Sequence, residues 1–172
     1  MKPFRIPSFA LLTASMILWT PFALAKTASK KAHVHGVAQL NLAAEGNSMS
    51  IQFESPSEEI YGFEHAPKNP AETEKQRAAL ELLKSKAGEI IGFDATLGCT
   101  FKETTANVVM DGPKHSEVRA EFKVECSKPL SKTKVSVDFS KHFPKIKKIK
   151  MQIVSDGKQE AKVLTKMGTV EL

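Results

Sequence analysis

Period-two alternation dominates the chain. From Ala32 onward, Val34, Ala38, Leu40, Leu42 and Ala44 fall on one face, while His33, His35, Val37, Gln39 and Asn41 fall on the other. Alternation over this length predicts a half-buried strand. Glu45-Gly46-Asn47-Ser48 supplies turn chemistry, and Met49, Ile51 and Phe53 then alternate with Ser50, Gln52 and Glu54, so a β-hairpin is expected. The segment from Ser55 to Pro70 carries three prolines and is read as irregular. After it, Leu80, Leu83, Ala87 and Ile90 recur at spacings of three and four, and Pro70-Ala71-Glu72 suits a first helical turn. A helix is predicted over about 70–88.

The remainder returns to period two. Thr100 to Met110 is a strand candidate closed by Asp111-Gly112-Pro113. Val118, Ala120, Phe122, Val124 and Cys126 form the cleanest apolar stripe. Further strands are expected around Val135–Phe139, Ile149–Ile153 and Lys158–Lys166. The fold class is therefore α+β: mostly antiparallel β-sheet, two-layer or sandwich-like, with one main α-helix.

The N-terminus follows a different pattern. Lys2 and Arg5 precede an uncharged apolar stretch, Ile6 to Ala25, which ends in Ala23-Leu24-Ala25. This is the layout of a cleaved secretory signal over residues 1–25, leaving a single domain over 26–172. No second apolar run is long enough to span a membrane. Removing residues 1–25 takes away two of the 25 basic residues and none of the 19 acidic ones, so the remaining net charge is +4. That mild excess, without an aromatic-plus-basic cluster, does not point to nucleic acid.

Export bears on Cys99 and Cys126, the only two cysteines. In an oxidising compartment a disulfide between them is expected, because only one internal pairing exists. The run Lys141-His142-Phe143-Pro144-Lys145-Ile146-Lys147-Lys148-Ile149-Lys150 reads as the polar side of an edge strand, where lysines discourage pairing with other chains. A contact with an anionic surface or partner is its functional alternative.

The chain contains no G-x-S-x-G, no H-E-x-x-H and no glycine-rich phosphate loop. The histidines offer more. His33 and His35, two apart on a strand, would share one face and can chelate one ion. Gly36 leaves room beside them. His65 lies next to Glu64 in the loop that follows the partner strand, where a third ligand is reasonable. Three imidazoles with a water or a carboxylate complete a tetrahedral zinc site, and imidazole also suits copper and nickel. Only neutral imidazole ligates, so metal affinity should fall between pH 7.5 and 5.5, across the ordinary histidine range near about 6.5. His142, between Lys141 and Phe143, reads as surface.

The segments His33-Val34-His35-Gly36-Val37-Ala38, Glu54-Ser55-Pro56 and Gly62-Phe63-Glu64-His65-Ala66-Pro67 resemble the ZrgA family of zinc-associated periplasmic proteins of Gram-negative bacteria. The likeness continues through Gly98-Cys99, His115 with the strand to Cys126, and Phe139 to Pro144. It implies a periplasmic, non-enzymatic zinc-binding protein that assists zinc uptake, with a zinc ABC importer or its periplasmic binding protein as partner. It also implies His33, His35, His65 and His115 as ligands. The connection from Val108 to His115 departs from the family pattern: it lacks the His/Asp-rich insertion many members carry there. Two other classes stand beside this one. An envelope structural or interaction module would make the histidines incidental. A metal-dependent hydrolase would need Glu64 beside an open coordination position.

Overall fold

A computed structural model describes residues 34–172. The leader expected at 1–25, the stretch that follows it and His33 lie outside the described residues. Among the described residues, nine strands form two sheets. In the larger, β1 (Val37–Glu45), β2 (Ser48–Pro56), β4 (Thr100–Asp111), β5 (His115–Glu125), β7 (Lys148–Ser155) and β8 (Lys158–Thr165) lie in the order β4-β5-β2-β1-β7-β8. The smaller comprises β3 (Ile91–Phe93), β6 (Lys134–Asp138) and β9 (Met167–Glu171), in the order β3-β6-β9. Every pair is antiparallel except β1 with β7, which is parallel.

The expected hairpin is present, with Leu42 opposite Ile51 and Leu40 opposite Phe53. Alternation puts Leu40, Leu42, Ile51, Phe53, Phe122, Ile149 and Met151 on one buried face, while the polar partners look outward. The small sheet and the helices contribute Leu83, Ile90, Val135, Val137 and Phe139 to the same core cluster. Phe53 of the large sheet stacks on Phe139, just after β6, with ring centroids 4.9 Å apart. Burying a side chain of this size stabilises by roughly 1.5–3 kcal/mol.

Strand β4 shows why its alternation is hard to read in sequence. Its register against β5 shifts between Phe101 and Glu103. Phe101 is half-buried before the shift, and Thr104, Ala106 and Val108 are half-buried after it. One extra residue reverses the phase of a period-two pattern.

The helical region is divided into α1 (Ser57–Tyr61), α2 (Pro70–Ser85) and α3 (Ala87–Ile90). In α2, the Asn69 side chain accepts the Glu72 N–H at 2.9 Å and Pro70 occupies the first turn, where its missing N–H costs nothing. The chain breaks at Lys86 and re-forms as α3, which leads straight into β3. The single helix expected over 70–88 is therefore two, but Leu83, Ala87 and Ile90 of its predicted stripe are buried. Among the described residues no helix is long and apolar enough to cross a membrane.

Three readings are corrected. The segment after Ser55 is not wholly irregular: β2 continues to Pro56 and α1 follows, closed by Gly62 at φ 97°. The lysine-rich strand β7 is not an edge strand, because it lies between β1 and β8. The first strand does not begin at Ala32 but at Val37, preceded by a turn in which Val37 N–H donates to Val34 O at 3.2 Å. The cause is Gly36. Its φ of +75° lies in the left-handed region that glycine tolerates and other residues rarely adopt. A residue there cannot continue an extended strand.

Candidate metal centre

The turn at His35-Gly36 is held from two sides. Gly36 N–H donates to Glu59 Oε1 at 2.6 Å. Gly36 O accepts from Lys147 N at 2.8 Å and Lys148 N at 2.9 Å. These bonds tie the turn to α1 and to the start of β7, and they aim the His35 ring at α1. There His35 Nδ1 lies 3.4 Å from Glu58 Oε2 and 3.6 Å from Glu59 Oε1.

Helix α1 exists because β2 ends at Pro56 and two glutamates follow in the first turn, where carboxylates are favourable. Adjacent positions send these carboxylates in different directions. Glu58 is half-exposed and also meets Lys145 Nζ at 3.6 Å. Glu59 is 5% exposed, and its Oε2 is buried with no hydrogen-bond partner. An unpartnered buried carboxylate oxygen is costly unless a cation is near.

Glu64 completes the cluster from the loop after α1. Its carbonyl accepts from Ser116 Oγ at 2.6 Å, which anchors the loop to β5. Ser116 Oγ also lies 3.4 Å from Tyr61 Oη, to which Gln76 of α2 donates at 3.2 Å. Glu64 Oε2 lies 2.7 Å from His115 Nδ1. In the neutral ring that contact puts the proton on Nδ1 and the lone pair on Nε2, the usual arrangement of a carboxylate-oriented metal-binding histidine.

His35, Glu58 and Glu64 each offer a ligand atom, and these atoms lie within 4.8 Å of one another. Zinc holds such ligands at about 2.0–2.2 Å, so tetrahedral donors stand about 3.3 Å apart. The 3.4 Å between His35 and Glu58 already matches that spacing. Glu64 stands within 4.8 Å of both.

The sequence-derived candidates therefore separate. His35 sits in the cluster, and His115 touches it through Glu64. His33 lies outside the described residues. His65 is engaged elsewhere: its Nδ1 lies 2.9 Å from Ala66 O and 3.8 Å from Glu72 Oε2, and its ring stacks on Phe63 at 4.9 Å. His142 pairs with Glu89 at 3.1 Å, and its side chain is only 12% exposed, so it is not the surface residue expected. Glu58 and Glu59 had not been singled out. The available signal was two adjacent carboxylates directly after the strand that pairs with the histidine strand.

Cys99 and Cys126 form a disulfide. It sits at the far end of β5 from His115, and the two thiols are thereby removed from any metal chemistry.

The family model of the ZrgA family of zinc uptake proteins matches residues 32–170. The chain belongs to this family. The match runs from before β1 into β9, so the His35–Glu58–Glu64 cluster lies within it. The family is defined by zinc uptake and not by a reaction. No curated protein matches the sequence.

Proposed function

We propose that this protein is an extracytoplasmic, non-catalytic zinc-binding accessory of zinc uptake, exported by a leader at residues 1–25 and working in the periplasm. Zinc is its cargo. His35, Glu58 and Glu64 are the proposed core ligands, with His115 beside Glu64 and His33 two residues before His35. The observation that carries this reading is the meeting of His35, Glu58 and Glu64 within 4.8 Å, with the buried Glu59 carboxylate 3.6 Å from His35. A buried carboxylate beside an imidazole–carboxylate cluster favours a cation there.

The donor chemistry also suits cargo. Thiolates give the most closed structural zinc sites, and here both are tied in the disulfide. Imidazole and carboxylate ligands exchange more readily, as delivery to an importer requires. Imidazole also accepts copper and nickel, so competition among these ions would measure selectivity.

The test is a calorimetric Zn²⁺ titration of residues 26–172 with the disulfide intact, beside His35→Ala and Glu64→Gln. Binding by the parent and its weakening by about tenfold or more in both variants is the expected result. No binding by the parent would overturn the reading in favour of a metal-free envelope module.

A further inference from the structure

The lysine run at 141–150 was explained in sequence as edge protection, and the structure removes that explanation, because β7 is interior. Lys148 and Lys150 point outward from an interior strand, opposite Met151 and Ile149, which are buried. Lys150 lies beside Gln39 on β1 and Val163 on β8, and Lys148 beside Val37 and Thr165. Val163 is 63% exposed. The backbone of Lys166, which follows β8, is tied to the same end of the sheet by its N–H, which donates to Lys147 O at 3.0 Å.

Among the described residues, Lys147, Lys148, Lys150 and Lys166 have no carboxylate in ion-pair range. Lys147 Nζ donates instead to Pro144 O. The opposite half of the same sheet face behaves differently: Arg119 pairs with Glu54 and Glu117, and Lys123 with Glu103. Uncompensated positive charge is thus gathered at one corner of the outer face.

That corner adjoins the metal centre. Lys147 and Lys148 donate their backbone N–H groups to Gly36 O, and Lys145 reaches Glu58.

We infer that this corner, Lys147, Lys148, Lys150 and Lys166 around Val163, docks an acidic segment of a partner protein next to the metal centre. Its purpose rests on the zinc-delivery reading: a recipient held there has its own ligands beside the cargo. Charge complementarity selects the partner class, because clustered like charges steer and orient an opposite surface. A lipid surface fits less well, since no aromatic residue is among the exposed large hydrophobics of the described chain to anchor in a bilayer.

The experiment measures fluorescence anisotropy of a short labelled Asp/Glu peptide with residues 26–172, and in parallel sedimentation with phosphatidylglycerol vesicles. Lys148→Glu/Lys150→Glu should weaken peptide binding by about tenfold or more. Lys128→Glu/Lys158→Glu, with the same change in net charge away from the corner, should weaken it less than about threefold. Lys148→Gln/Lys150→Gln gives the same direction with less perturbation of the strand. Equal losses in the two glutamate variants would overturn the inference, as would absence of peptide binding or vesicle binding alone. Zinc affinity should be retained in Lys150→Gln, which makes no bond to the Gly36 turn, and peptide binding retained in His35→Ala. Failure of docking and failure of the zinc reading are therefore separately visible.

Discussion

Glu64 and His115 face each other with Oε2 and Nδ1 2.7 Å apart, although they arise from different elements, the loop after α1 and the first residue of β5. The contact is a consequence of pairing β2 with β5, which sets Pro56 opposite Glu117 and so brings the end of one strand to the start of the other. Glu64 then serves both as a member of the His35–Glu58 cluster and as the group that orients His115. Removing its charge should therefore disturb two of the proposed ligands. Glu64→Gln is expected to weaken zinc binding by about tenfold to a hundredfold, the range for a partner that orients a ligand. His65→Ala, by contrast, should change it by less than about threefold. Calorimetric titration of each variant checks both, and a larger loss for His65→Ala would reverse the ligand assignment.

Glu59 holds the turn that carries His35. Its Oε1 accepts the Gly36 N–H at 2.6 Å from a buried position. Glu59→Ala leaves that N–H without its acceptor and should cost about 1–3 kcal/mol of stability. Glu59→Gln keeps an acceptor and should cost less. Urea denaturation of the two variants compares them.

Gly36 is required for the same turn. Its φ is +75°, and an added Cβ would lie 3.4 Å from Lys147 Cγ. The second contact is tolerable, but the first is intrinsic to an L-residue. Gly36→Ala is expected to destabilise by about 1–2 kcal/mol and to lower zinc affinity by displacing His35. Denaturation together with zinc titration would show both effects. A change in stability alone would mean that the turn does not aim the ring.

The disulfide should be separable from the metal centre. Cys99 and Cys126 are 27 residues apart in sequence, and closing such a loop stabilises by roughly 3–4 kcal/mol in the chain-entropy account. Cys99→Ser/Cys126→Ser should lower the midpoint of thermal unfolding. It should leave zinc affinity of the folded protein nearly unchanged, because the length of β5, roughly 35 Å, lies between Cys126 and His115. Thermal unfolding and titration below the transition test the two halves of this statement.

Glu89 of α3 supplies a pH-dependent element. Hydrogen bonds from Lys141, then Lys86, then His142 hold its carboxyl at about 2, below the ordinary 4.5. A carboxylate whose pKa is depressed on folding contributes stability above its unfolded value and loses it as pH falls through the folded one. The contribution should therefore fade between about pH 4.5 and 2. Glu89→Gln should flatten the acid limb of the stability profile relative to the parent, measured by denaturant titration across that range. Identical slopes for parent and variant would show that exposure to solvent screens the cluster.

Much of this protein was legible along the chain. Apolar alternation placed the β1–β2 hairpin, β5, β7 and β8, because burial of one sheet face imposes a period that any short window displays. The two cysteines admitted one internal pairing, and His35 stood out beside a glycine. Which strands become neighbours was not legible: the parallel β1–β7 pair joins segments a hundred residues apart in the chain, and local periodicity carries no information about that choice. The same pairing made β7 interior and turned its lysines from edge guards into an open charged corner. Pairing of β2 with β5 brought His115 to Glu64, and the short helix after Pro56 brought Glu58 to His35. A candidate cluster of one imidazole with two carboxylates thus emerged where the sequence put histidines first, because residues brought together by long-range packing need share no local pattern.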